Sequence, residues 1–146
     1  MRLLILLFCL TINSLIAQIQ QGGIPKYITN RDVNVIQPNT DFEVDRAFNP
    51  MVFQFGTEYQ MGIDVLESSN VTVENGIYTY TLGIESPGAY GIGLIFDDFQ
   101  LTENSELYFY DREQTMYLGA FNSNNNKPSN IFPTSIIKSE SIIIEL

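Results

Sequence analysis

The chain has 146 residues, with 17 acidic side chains against 7 basic ones, no histidine and one cysteine. A formal charge of -10 repels nucleic acid and anionic membranes, so neither is an expected partner. The missing histidine excludes a serine or thiol nucleophile paired with a histidine base, and a histidine-ligated zinc, within this chain.

In chain order, Arg2 precedes an apolar run from Leu3 to Ile12 that is too short to cross a bilayer as a helix. With Ala17 before the cut and Gln18 as the first mature residue, residues 1–17 read as a signal peptide. A secreted, periplasmic or cell-surface location is therefore expected, with no membrane contact after the signal is removed. Cys9 lies inside the signal, and "LLFC" lacks the small residues of a lipoprotein site, so the mature chain has no thiol. Cleavage leaves roughly 130 residues, enough for one domain that buries about two-thirds of its unfolded surface.

Residues 18–50 show little periodicity and are punctuated by Gly, Pro, Asn and Asp, which predicts an extended leader lying over the domain or mobile beside it. Residues 51–146 change to short runs rich in Val, Ile, Tyr, Phe and Thr. With no long 3.6-residue period, helices should be few. From Gly76 to Ile84 the alternation puts Tyr78, Tyr80, Leu82 and Ile84 on one face and Thr79, Thr81 and Gly83 on the other, as in a half-buried strand. After the turn "SPG" a second strand is predicted, with Tyr90, Ile92, Leu94 and Phe96 as core and Gly91 and Gly93 on the opposite face. Those glycines mark a close neighbour, for which the tyrosines of the adjacent strand are suitable. "ELYFYD" and "MYLGAF" predict a hairpin around "REQT", "NSNNNKPSN" an exposed loop, and "IFPTSII" with "SIIIEL" a last pair of strands. About seven or eight strands with short turns predict an all-β antiparallel sandwich or jelly roll.

Five chemical readings come into question. The glycines at 88, 91 and 93 lack the following helix and nearby cation of a phosphate loop. Asp97 and Asp98 end a strand, with Glu103 and Glu106 close behind, and are weak candidates for calcium. "DFEVDRAFN" has the alternate acids of a calcium loop but places Arg46 and Val52 where the glycine and closing glutamate belong. Two carboxylates suffice for glycoside hydrolysis, yet nothing singles out one pair. Tyr78, Tyr80, Tyr108, Tyr110 and Tyr117 could form a sugar platform, although in "LYFYD" the tyrosines share one face and Leu107 and Phe109 the other, which suits core packing better. No catalytic residue and no cofactor is expected.

The run from "GIYTYTLGIESPGAYGIGLIFDDFQL" through "SELYFYDREQTMYLGAFNSNNNKPSN" to "SIIIEL" resembles the amino-terminal prodomain of secreted lysyl-endopeptidase-like serine proteases of the Bacteroidetes type. The leader "QIQQGGIPKYI" is similar to the start of those proforms, whereas Tyr80 and Thr81 stand where the family usually has tryptophan and arginine. The resemblance implies a non-catalytic β-rich prodomain that assists folding of a trypsin-like catalytic domain and holds it inactive, often in proteins sorted by type IX secretion. It also implies a chain cut short at Leu146, before that catalytic partner. The alternative is a stand-alone secreted β-sandwich that binds carbohydrate or a cell-surface partner.

Overall fold

A computed structural model describes residues 22–27, 33–38 and 56–146. Its elements are β1 (Asn34–Ile36), the single-turn helix α1 (Val65–Ser68), β2 (Asn70–Glu74), β3 (Ile77–Glu85), β4 (Ile95–Phe96), β5 (Leu107–Asp111), β6 (Tyr117–Phe121), β7 (Phe132–Pro133) and β8 (Ser141–Glu145). The fold is all-β. A six-stranded sheet runs β1-β3-β8-β5-β6, with β2 also paired to β3, and a two-stranded ribbon joins β4 to β7. Among the described residues every ladder is antiparallel except that of β1 with β3. Hydrogen bonding thus defines one large sheet and one small ribbon rather than two comparable sheets.

Local chemistry explains the turns. Asn75 (φ 53°) and Gly76 (φ 80°) are both left-handed, and they close β2 onto β3 as the two-residue hairpin that asparagine-glycine favours. Between β5 and β6 the carboxylate of Asp111 accepts from Met116 N at 2.6 Å and from Thr115 N and Oγ1 at 3.1 and 2.8 Å. It replaces backbone partners that the turn cannot supply. The two strands pair Tyr110 with Tyr117 and Leu107 with Phe121, with an irregularity between Leu107 and Phe109. α1 is held by Asp64, whose side chain accepts from Glu67 N at 3.0 Å.

One face of the large sheet carries Leu82, Ile84, Leu107, Phe109, Ile142 and Ile144, all buried. Over it lie Ile92, Phe99, Phe132 and Ile137, also buried. Phe99 and Phe132 stack at 4.1 Å and 13°, and Phe121 meets Phe132 edge-on at 5.0 Å. Aromatic stacking of this kind adds to the stabilisation from buried area.

Five expectations are corrected by the structure. The run after "SPG" is not one continuous strand: Ile92 bridges Ile137, and only Ile95 and Phe96 form a ladder. Its alternation survives in Ile92, Leu94 and Phe96, but Tyr90 is 100% exposed at the loop tip rather than in the core. The close neighbour of Gly91 is not a tyrosine. A Cβ there would come within 2.7 Å of Ile136 Cγ2 and 2.9 Å of Ile137 O, so the glycine admits the crossing segment.

"IFPTSII" and "SIIIEL" do not pair with each other. β7 joins β4, while β8 lies between β3 and β5 with hydrogen-bonded neighbours on both sides. The asparagine-rich loop is not simply exposed, because its amides replace regular structure. Asn122 and Asn125 form a reciprocal capping box around a short 3-10 turn, and Asn125 is buried. Asn126 accepts from Leu101 N and donates to Leu101 O, each at 2.9 Å.

Candidate functional site

The other face of the large sheet is chemically different. Alternation along β5, β8 and β3 brings Tyr108, Tyr110, Ile143, Glu145, Thr79 and Thr81 to it, all buried. The segment Gly22–Tyr27 lies across this face. Glu145 accepts from Lys26 N at 2.6 Å through Oε1 and from Tyr110 Oη at 2.9 Å through Oε2. A carboxylate only 3% exposed needs such donors, because burial without them costs several kcal/mol, on the order of 2–7 for a polar group and more for a charge.

The same residue is tied by its side chain, Lys26 Nζ donating to Thr79 Oγ1 at 2.8 Å. Pro25 is buried, and Gly23 packs directly against the Tyr108 hydroxyl, leaving no room for a side chain. Tyr27 meets Tyr110 edge-on at 5.1 Å and Tyr117 at 6.4 Å. β1 extends the sheet beside this face: Val35 lies opposite Gly83, where a Cβ would approach Val35 Cγ2 to 3.1 Å.

Electrostatics follow from this packing. Burial pushes the Tyr108 hydroxyl up to about 12, helped by its 3.0 Å hydrogen bond to Glu106 Oε2. Burial also raises Tyr27, with further contributions from Tyr117, Asp111 and Glu145. Burial works to raise Asp111 as well, but the donors from Met116 and Thr115 outweigh it and hold the carboxyl below its usual range. The face therefore holds the protons of Tyr108 and Tyr27 more tightly than usual, and it seats the segment by backbone N–H, proline and aromatic contacts.

The metal candidates are placed elsewhere and are not gathered. Asp97 and Asp98 are exposed at the end of β4, and Asp98 Oδ1 accepts from Asn130 Nδ2 at a long 3.5 Å. Glu106 is engaged by Tyr108 instead. No group of three or more Asp, Glu, His or Cys side chains suited to a metal occurs among the described residues. "DFEVDRAFN" and residues 1–17 lie outside the described residues.

The predicted tyrosine platform divides. Tyr108 and Tyr110 are buried, whereas Tyr78 is 61% and Tyr117 40% exposed on opposite faces of the sheet. The site that sequence reasoning missed is Glu145 with Lys26, separated by 119 residues. Its one signal was a glutamate in an otherwise apolar strand, "SIIIEL". Comparison with protein-family models, with curated proteins and with solved structures finds no match to this chain.

Proposed function

We propose that the chain is a non-catalytic, exported interaction module that acts as the prodomain of a trypsin-like serine protease of the lysyl-endopeptidase type. The observation that carries the reading is the seating of Gly22–Tyr27 on the Glu145 face. The resemblance covers this segment and the sheet beneath it, so both halves of the contact belong to one module. A leader anchored at Lys26 leaves an acidic β-domain free to present its remaining surface to a catalytic partner. Sequence chemistry is compatible with this, since the chain carries no histidine to serve a serine or thiol nucleophile of its own.

The test is addition of the purified chain to a lysyl-endopeptidase-like catalytic domain of the Bacteroidetes type. Saturable slowing of peptide hydrolysis is expected, along with a higher yield of active enzyme when the denatured catalytic domain is refolded in its presence. Neither effect, combined with measurable glycan binding, would replace this reading with the stand-alone binding module.

A further inference from the structure

Strand β2 pairs only with β3 among the described residues, and the direction of its free backbone groups can be deduced. Tyr80 donates its N–H to Leu146 O at 2.8 Å and accepts from Leu146 N at 3.0 Å, so both its backbone groups point toward the β8 side. Antiparallel alternation then turns Thr79 and Thr81 toward β2, where they face Thr72 and Asn70. Val71 and Val73 consequently direct their N–H and C=O away from β3. Their side chains are 48% and 55% exposed and share a face with Tyr78, which is 61% exposed.

Natural sheet edges are guarded by lysine, proline or bulges. "NVTVE" has no lysine or proline, and its register against β3 is unbroken. Its own sequence is also self-complementary when reversed. An antiparallel copy centred on Thr72 sets Val71 against Val73, Thr72 against Thr72 and Asn70 against Glu74. In that register each Val71–Val73 pair exchanges two backbone hydrogen bonds through groups that already point outward, and Thr72 occupies the closely spaced non-bonded position. The only charge on the strand faces an amide, so the acidity of the chain is not concentrated at this contact.

We propose that this edge is a self-association site, occupied by β2 of a second copy of the chain about a two-fold axis through Thr72. The two large sheets become continuous across it, and the four valines join into one apolar strip flanked by Tyr78 of each copy. The reading stands apart from the protease-prodomain proposal, because it concerns the hairpin edge and not the leader face.

Sedimentation of the full chain across a concentration series tests it. A reversible dimer is expected, weakened at least about tenfold by Val71→Pro. That proline deletes an outward N–H and spares the ladder with β3. Val71→Lys with Val73→Lys should also dissociate the dimer, whereas Val71→Lys with Val73→Glu should restore it, since each lysine then faces a glutamate. In a Cys9→Ser background, Thr72→Cys should oxidise to a covalent dimer faster than Val71→Cys, because only position 72 faces itself within disulfide range. Circular dichroism checks that each variant keeps its strands, and the charge pair decides the matter if the proline variant does not. A chain that stays monomeric throughout, or a dimer indifferent to the lysine pair, overturns the proposal.

Discussion

The two faces of the six-stranded sheet are closed by different physics. On one, Leu82, Phe109, Ile142 and Ile144 meet a roof of Phe99, Phe132 and Ile137, and no polar atom is needed. On the other, a buried carboxylate, two tyrosines and two threonines are covered by a distant segment that must supply donors as well as bulk. The first face excludes water by shape alone. The second is complete only while Lys26 and Tyr27 are in place, so it can be opened by removing one short segment.

That contrast can be broken most severely from the apolar side. Phe132→Ala removes a ring that is 0% exposed and in contact with Phe99 and Phe121, and should cost about 3–5 kcal/mol in urea unfolding. Glu145→Ala takes the acceptor from Lys26 N and should cost about 1–3 kcal/mol. Its distinguishing result is faster proteolysis at Lys26 while the amides of β5 remain protected from hydrogen exchange. Equal loss of protection in β5 would show that the two faces open together. Tyr27→Ala should cost about 0.5–1.5 kcal/mol for its two aromatic contacts, read as a small fall in the urea midpoint.

A further effect appears only at high pH. Tyr108, raised to about 12, and Tyr27, also raised, hold their protons more tightly in the folded chain than in the unfolded one, where the ordinary value is 10.0. Their contribution is therefore fully present below about pH 10 and is lost as pH rises toward 12. Ionisation would also set Tyr108 against the Glu106 carboxylate. A spectrophotometric phenol titration should show a late step that Tyr108→Phe removes. An unaltered titration in that variant would assign the step elsewhere.

The apolar face was largely legible. Alternation at Leu82 and Ile84, at Leu107 and Phe109, and at Ile92 and Phe96 places each of these side chains toward the apolar core, because a strand buried on that side repeats every two residues. The segregation of Tyr108 and Tyr110 from Phe109 follows from the same period. Tyr90 failed because the chain turns out of strand geometry before Ile92, leaving no second face to fill. β8 was misplaced as the partner of "IFPTSII", since periodicity states which side is buried and not which strand lies alongside. Glu145 could not be interpreted alone. Its donor lies in a leader without periodicity, and a contact across 119 residues leaves no local pattern in either segment.

The position of β8 governs how the sheet can be assembled. Ile144 lies opposite both Leu82 and Phe109, so β3 and β5 have no common neighbour until the segment 141–145 arrives. The β2–β3 and β5–β6 hairpins can zip locally, but joining them requires closing loops of some sixty and thirty-five residues, which raises the contact order and slows folding. The two hairpins can thus form before they are joined, and the cooperative transition waits for a strand that lies more than a hundred residues after the leader it helps to seat.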